Sequence, residues 1–332
     1  MENIQNILIK DKSLESNPAV RMRRVRSHPV LRTLARQTRL SVDELVLPLF
    51  VWQGESIPLA SIPGHTLFNL DRLPYEIENI LELGISSIIL FGVSIDKDEK
   101  ASLAYAEEGI VAKALRLIKK KAPGLLVIAD VCLCGYTSHG HCGIVRGQDV
   151  DNDETLTLLK KVGCCYAHAG ADVLAPSGMM DHVVSALRAE LSHMPILSYA
   201  VKYASSYYGG FRESTKCSLR PGDSRSSYQM DHANCDEAVR EVSLDLQEGA
   251  DMVMVKPAGL YLDVIARVRA CFPGVALGAY QVSGEYGMIK AAAEKGWLDE
   301  KAAALESLIA IKRAGAQFII TYFAKQAALW LR

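Results

Sequence analysis

Residues 130–143 read DVCLCGYTSHGHCG and gather Cys132, Cys134 and Cys142 with His139 and His141. A redox pair would favour Cys-x-x-Cys at a helix start. A structural zinc site usually draws on two cysteine pairs. The spacing here, Cys-x-Cys-x7-Cys, instead supplies three thiolates and leaves one coordination position open, which is the arrangement of a catalytic zinc. The histidines are open to three roles: ligand, hydrogen-bond donor behind a ligand, or acid/base group. His141 is the one expected close to the metal. The remaining cysteines do not cluster. Cys164 and Cys165 fall in a helical stretch, Cys271 near a helix end, and Cys217 and Cys235 in or beside a loop. They are expected to be ordinary core or surface residues, because free cysteine packs as a small apolar side chain.

Two lysines end apolar runs, Lys202 after ILSYAV and Lys256 after MVMV. The plainer reading of a lysine at a strand end is a solvated terminus, since charged residues are seldom buried. Two such lysines on consecutive strands point elsewhere. An amine in an apolar pocket beside a second cation has its charged form disfavoured and becomes a nucleophile toward ketones. Two amines imply two carbonyl substrates held side by side. The stretch between them, 203–234, shows neither helix nor strand periodicity, and a loop that long in a compact domain is usually a lid or a binding loop. It carries Arg212, Lys216, Arg220 and Arg225, suited to substrate carboxylates. Tyr203, Tyr207, Tyr208 and Phe211 are suited to excluding water when it closes.

The elements that must position these groups are eight near-continuous apolar runs: 46–52, 86–93, 125–133, 172–177, 195–202, 251–257, 275–282 and 318–324. Such runs are strands covered on both faces. Amphipathic helical stretches separate them. GADVLAPS at 170, GADMVMVKP at 249 and GAQFIITYF at 315 share one join, with GISSIILFG at 84 close to it: glycine ends a helix in a left-handed cap and a strand follows. Eight repeats predict an α/β fold, a (β/α)8 TIM barrel, over 41–332. A doubly wound open sheet is second, without a Gly-rich dinucleotide turn to support it. The C-terminal strand ends carry Asp130, Cys132 and Cys134, then Ser177, Tyr199 and Lys202, Lys256, Gln281 and Ser283, and Tyr322. In a closed barrel all of them meet at one mouth.

Composition excludes other classes. A net charge of -1 gives no pull toward nucleic acid or an anionic membrane. No uncharged apolar run reaches the ~18 residues of a membrane span, and the charged N-terminus is not a signal peptide. The expectation is a cytoplasmic protein. Residues 21–39 hold seven arginines and no acid. Residues 1–40 are therefore expected to form an extended arm that docks on another subunit.

The blocks DVCLCGYTSHGHCG, APSGMMD, SYAVKYASSYYGGFRE, YQMD, MVKPAGLYLD, YQVSGEY and ITYFA resemble, in order and spacing, those of the porphobilinogen synthases (5-aminolevulinate dehydratases). That resemblance implies a TIM barrel that condenses two 5-aminolevulinate molecules into porphobilinogen with loss of two waters. It implies Schiff bases on Lys256 and Lys202, with Arg212, Arg225 and Gln229 holding one carboxylate and Ser283 and Tyr322 the other. Asp130 and Ser177 would orient polar groups near a zinc on Cys132, Cys134 and Cys142, with Tyr208 and Phe211 lining the site. It further implies an allosteric magnesium at Glu241 and a homo-oligomer, commonly an octamer. The lid departs from the family pattern: GDSRSSYQ is one residue longer than GDRxxYQ. Counting from Tyr228 selects Arg225 and counting from Asp223 selects Ser224; the kept distance from Tyr228 to Lys256 favours Arg225. Ser227 stands where some members have a cysteine for a second zinc, so no such site is expected. Another Schiff-base barrel such as a class I aldolase would leave Lys202 and the cysteines unexplained. A barrel that has lost catalysis would leave the whole set without a role.

Overall fold

The computed structural model describes residues 21–220 and 222–332. The chain divides between Arg39 and Leu40. The described part of the arm holds a 3-10 turn, Met22–Arg26, and a short helix, Pro29–Leu34, whose first turn is capped by His28 Nδ1 accepting from Val30 N at 3.1 Å. Met22, Val25, Val30, Leu31 and Leu34 are exposed along it. The expected arm residues 1–20 lie outside the described residues.

From Leu45 the strands are β1 (Leu45–Trp52), β2 (Ile57–Pro58), β3 (Thr66–Phe68), β4 (Ser87–Val93), β5 (Leu126–Val131), β6 (Ile144–Arg146), β7 (Asp149–Asp151), β8 (Val173–Pro176), β9 (Leu197–Lys202), β10 (Met252–Lys256), β11 (Ala276–Gln281) and β12 (Phe318–Thr321). Eight of them pair in parallel in the order β8-β5-β4-β1-β12-β11-β10-β9. Leu174 bridges Ile196 between the two end strands, with Leu174 N donating to Pro195 O at 3.0 Å, and this closes the barrel. These are the eight runs expected from sequence. Every residue of β1 and β9 is buried, as strands enclosed by helices must be. The glycine joins take the expected backbone: Gly84, Gly170, Gly249 and Gly315 all have positive φ, between 77° and 125°.

Two features depart from expectation. β2 pairs antiparallel with β3, which itself adds in parallel to the end of β1, and β6 pairs antiparallel with β7 in a separate small hairpin. Strands of two or three residues are too short to show alternation. The lid is also less irregular than its composition implies. Ser206–Tyr208 forms a 3-10 turn and Gly209–Ser214 a helix. Six residues opened by a glycine pair carry almost no helical signal, and tertiary contacts supply the stability. Ser61 Oγ donates to Gly210 O at 2.9 Å and meets Ser214 Oγ at 2.9 Å, and Phe211 N donates to Ser283 Oγ at 2.9 Å. Among the described residues no helix is long and apolar enough to cross a membrane.

Candidate active site

Lys202 and Lys256 are partners in register on the adjacent strands β9 and β10. Simple alternation does not put both inside the barrel. Ser198 Oγ donates to Asp245 Oδ2 at 2.5 Å, on the covering helix Asp236–Gln247, so Ser198 faces outward. Four residues on, a regular strand would turn Lys202 outward as well. The pairing shifts between Val253 and Val255, so that β9 carries one extra residue, and Lys202 comes round to face the mouth.

Both lysines are buried. Lys256 Nζ lies 4.2 Å from the ring centroid of Tyr280, 5.1 Å from Tyr199, 5.3 Å from Tyr208 and 5.4 Å from Phe211. This apolar cage, with the Lys202 charge next to it, pushes the Lys256 amine down to about 7, against a partial counter-pull from Asp130. Lys202 Nζ donates to the Ser177 carbonyl. Asp130 is pushed up to about 6 by burial, held back by the charges of both lysines and a hydrogen bond from Ser177. Its Oδ1 has no hydrogen-bond partner. A buried carboxylate oxygen left open beside two amines is positioned to receive a ligand N–H.

Cys132, Cys134 and Cys142 place their sulfurs within 4.8 Å of one another, with Cys132 Sγ and Cys134 Sγ at 3.4 Å. Three soft donors close to one another, Cys132 and Cys142 buried and Cys134 half-buried, fit a zinc-type ion. Hydrogen bonds from Cys132 and Cys134 hold the Cys142 thiol well below its usual range, helped by Lys202 and Arg225. Hydrogen bonds with Cys132, Cys142 and Cys217 push the Cys134 thiol well above its usual range. His141 is not part of this group. Its Nδ1 meets Tyr228 OH at 3.2 Å and its Nε2 lies 3.7 Å from Asp223 Oδ2, contacts that tie the cysteine loop to the lid. His139 Nδ1 accepts from His141 N at 3.2 Å, also outside the thiol group.

The lid completes the mouth. Phe211 packs on Phe91 at 5.3 Å and Phe50 at 5.9 Å, reaching to Lys256. Arg225 is buried and lines the same cavity as Arg212, Gln229, Tyr208 and both lysines, whereas Ser224 is exposed and bonds Ser226. The count from Tyr228 is therefore the one that reaches the cavity. Arg225 Nη2 donates to Gly140 O at 2.7 Å and Cys217 O at 2.8 Å, while its Nε, Arg212 Nε and Gln229 Oε1 have no partner. Ser283 Oγ is engaged by the lid backbone. Tyr322 OH meets Tyr280 OH at 3.3 Å.

A model of the delta-aminolevulinic acid dehydratase family matches residues 19–330. The chain belongs to that family. The Synechocystis sp. delta-aminolevulinic acid dehydratase is 50% identical over 326 residues, covering 95% of this chain and 99% of that protein. The Halalkalibacterium halodurans enzyme is 49% identical over 318 residues, covering 94% and 96%. The crystal structure of the Toxoplasma gondii enzyme with its reaction product porphobilinogen superposes with a TM-score of 0.91 at 41% identity, covering 94% of this chain and 91% of that one. The (β/α)8 architecture is shared across the family match.

Within this member of the family, several neighbours of the site carried no recognisable sequence signal. His65 Nε2 lies 2.9 Å from Tyr322 O and its ring stands edge-on to Tyr322 at 5.2 Å. Burial lowers it to about 4, so it stays neutral. Cys217, expected to be an ordinary loop cysteine, is buried against Cys134. Glu241 lies away from the mouth. It borders a separate cavity of about 580 Å³ with Asp181, Glu237, Asp245 and Glu248, and burial with the Asp245 and Asp181 charges pushes it up to about 7. That cavity is far larger than the free space at the lysines, but neither lysine nor cysteine lines it.

Proposed function

We propose that this chain is a metal-dependent dehydratase, a lyase that joins two 5-aminolevulinate molecules into porphobilinogen, as its family does. The observation that carries this is the pair of buried amines in register at one mouth, faced by three convergent thiols. A single-amine aldolase explains neither the second lysine nor the sulfur group.

In this reading Lys256 attacks the ketone carbon of the substrate that becomes the propionate side. Its lowered pKa supplies free amine near neutral pH. The carbinolamine loses water to give a Schiff base. Lys202 does the same with the second substrate. Arg212, Arg225 and Gln229 hold one carboxylate, using the nitrogens and oxygen that have no partner within the protein. Ser283 and Tyr322 hold the other, which requires Ser283 Oγ to release the Phe211 N–H. Asp130 Oδ1 accepts from a substrate amine, and Ser177 fixes the second polar group beside it. Cys132, Cys134 and Cys142 hold zinc, which when bound supplies Lewis acidity toward the second substrate's carbonyl or amine. Tyr208 and Phe211 exclude water above Lys256.

The free space between the lysines, Arg212 and Arg225 is about 30 Å³. Two substrates cannot enter, so the lid opens to admit them. Glu241 and its neighbouring carboxylates are the proposed magnesium site, and the arginine-rich arm is proposed to build a homo-oligomer, an octamer by family habit.

The test is incubation with 5-aminolevulinate and an assay for pyrrole, with and without chelator, followed by borohydride trapping and peptide mapping. Pyrrole formation that stops on chelation, with Lys256 labelled, is expected. Label on neither lysine removes the Schiff-base assignment, and full turnover in a metal-free sample removes the zinc.

A further inference from the structure

The lid brings a fourth thiol to the cysteine loop. Cys217 is 1% exposed and lines the same small cavity as Cys134, Cys142, Lys202 and Arg225, with its sulfur facing Cys134. The contact is built from several directions. Thr215 Oγ1 donates to Cys217 Sγ at 3.0 Å, and Cys217 N donates to Arg212 O at 3.0 Å. Arg225 clips Cys217 O to Gly140 O across the lid and the cysteine loop. Lys97 Nζ donates to Lys216 O at 2.6 Å. Gly140, at φ +76°, lets the two backbones touch: a Cβ there would sit 2.8 Å from Ser218 O and 3.0 Å from Cys217 O.

Three thiolates leave zinc one open position. In this lid position the free space beside Cys134, Cys142 and the lysines is only about 30 Å³. A soft ligand is already at hand, because rotation about χ1 carries a cysteine sulfur about 3 Å between staggered positions, and thiolate is the preferred donor for such an ion. Four thiolates around a divalent ion leave net negative charge, and Lys202, Arg212 and Arg225 line the same cavity to balance it.

We propose that Cys217 is a fourth thiolate ligand of the metal held by Cys132, Cys134 and Cys142 when the lid closes without substrate, and that substrate binding displaces it. The proposal rests on the metal reading above and adds a resting state to it. Closure then has two forms: a locked one with sulfur in the fourth position, and a productive one with substrate there.

The experiment uses the full chain loaded with Co²⁺, whose sulfur-to-metal charge-transfer absorption grows with the number of bound thiolates. Without substrate, Cys217→Ser is expected to lower that absorption by roughly a quarter, one thiolate of four. Saturating 5-aminolevulinate should lower the unsubstituted protein to the same level and leave Cys217→Ser unchanged. Equal absorption in the two substrate-free proteins overturns the proposal. So does an unsubstituted protein whose absorption is unmoved by substrate, a measurement that needs no variant to fold. Failure of the metal reading has a different signature: no sulfur-to-cobalt band in the unsubstituted protein, and no loss on Cys132→Ser.

Discussion

Replacing Lys202 with methionine isolates the electrostatic half of the Lys256 environment. Adjacent strands stand ~4.8 Å apart, so two like charges about 5 Å apart at an effective dielectric of about 20 repel by about 3 kcal/mol, or about two pKa units. Lys256 stands at about 7, lowered from 10.5 first by burial and then by Lys202. Loss of the Lys202 charge also lets Asp130 rise further above about 6, which weakens the opposite pull and trims the change. Lys202→Met is therefore expected to bring Lys256 to between about 8 and about 9. At pH 7.5 its free-amine fraction falls about 3- to 25-fold. The assay is the initial rate of borohydride-trapped labelling of Lys256 by 5-aminolevulinate across pH 6 to 10, which reads the amine without requiring the second substrate to react. A labelling midpoint that stays at 7 or moves lower would refute the argument, because burial alone would then account for the reactivity.

Cys132→Ala together with Cys134→Ala should reduce bound zinc, measured by elemental analysis after gel filtration, from near-stoichiometric to undetectable, with pyrrole formation lost in parallel. Gly140→Ala forces a side chain into a left-handed backbone at about 1–2 kcal/mol and against the lid carbonyls; a several-fold higher half-saturating substrate concentration with a cooperative melt is the expected result, and unchanged saturation contradicts the lid contact. His65 has its folded pKa depressed to about 4 from 6.5, so the unfolded chain binds a proton the folded one refuses between those values. Its contribution is intact above pH 6.5 and is lost as pH falls toward 4, about 3 kcal/mol in total; denaturant melts should show His65→Gln losing less stability than the parent over that window. Removing residues 1–35 should shrink the assembly on gel filtration, and an unchanged elution volume counts against the docking arm.

The barrel was legible because strands and joins repeat. Apolar runs such as Ile196–Val201 and the glycines at 84, 170, 249 and 315 mark the same boundary again and again. The hairpins at Ile57–Phe68 and Ile144–Asp151 were not, because their strands are shorter than any period. The thiol group was legible because its members lie within one loop. Cys217 was not, because its partner Cys134 is far off in sequence and only lid closure unites them. The contact of His141 with Tyr228 was not legible either, because the lid supplies the tyrosine. Glu241 reads as one carboxylate on an amphipathic helix until Asp181, from another segment, faces it across the cavity.

The extra residue in β9 behaves like a frameshift. Before it, Ser198 belongs to the side that meets the helices; after it, the parity inverts and Lys202 belongs to the interior. Inward and outward positions counted from one end of this strand are therefore wrong at the other, and a mutational scan designed by simple alternation would mistake Ala200 and Val201 for each other's environment. Straightening the strand without shortening it would send Lys202 to the helix layer. One residue of slack in a single strand thus separates a barrel that offers two amines from one that offers a single amine, with the same composition and the same overall shape.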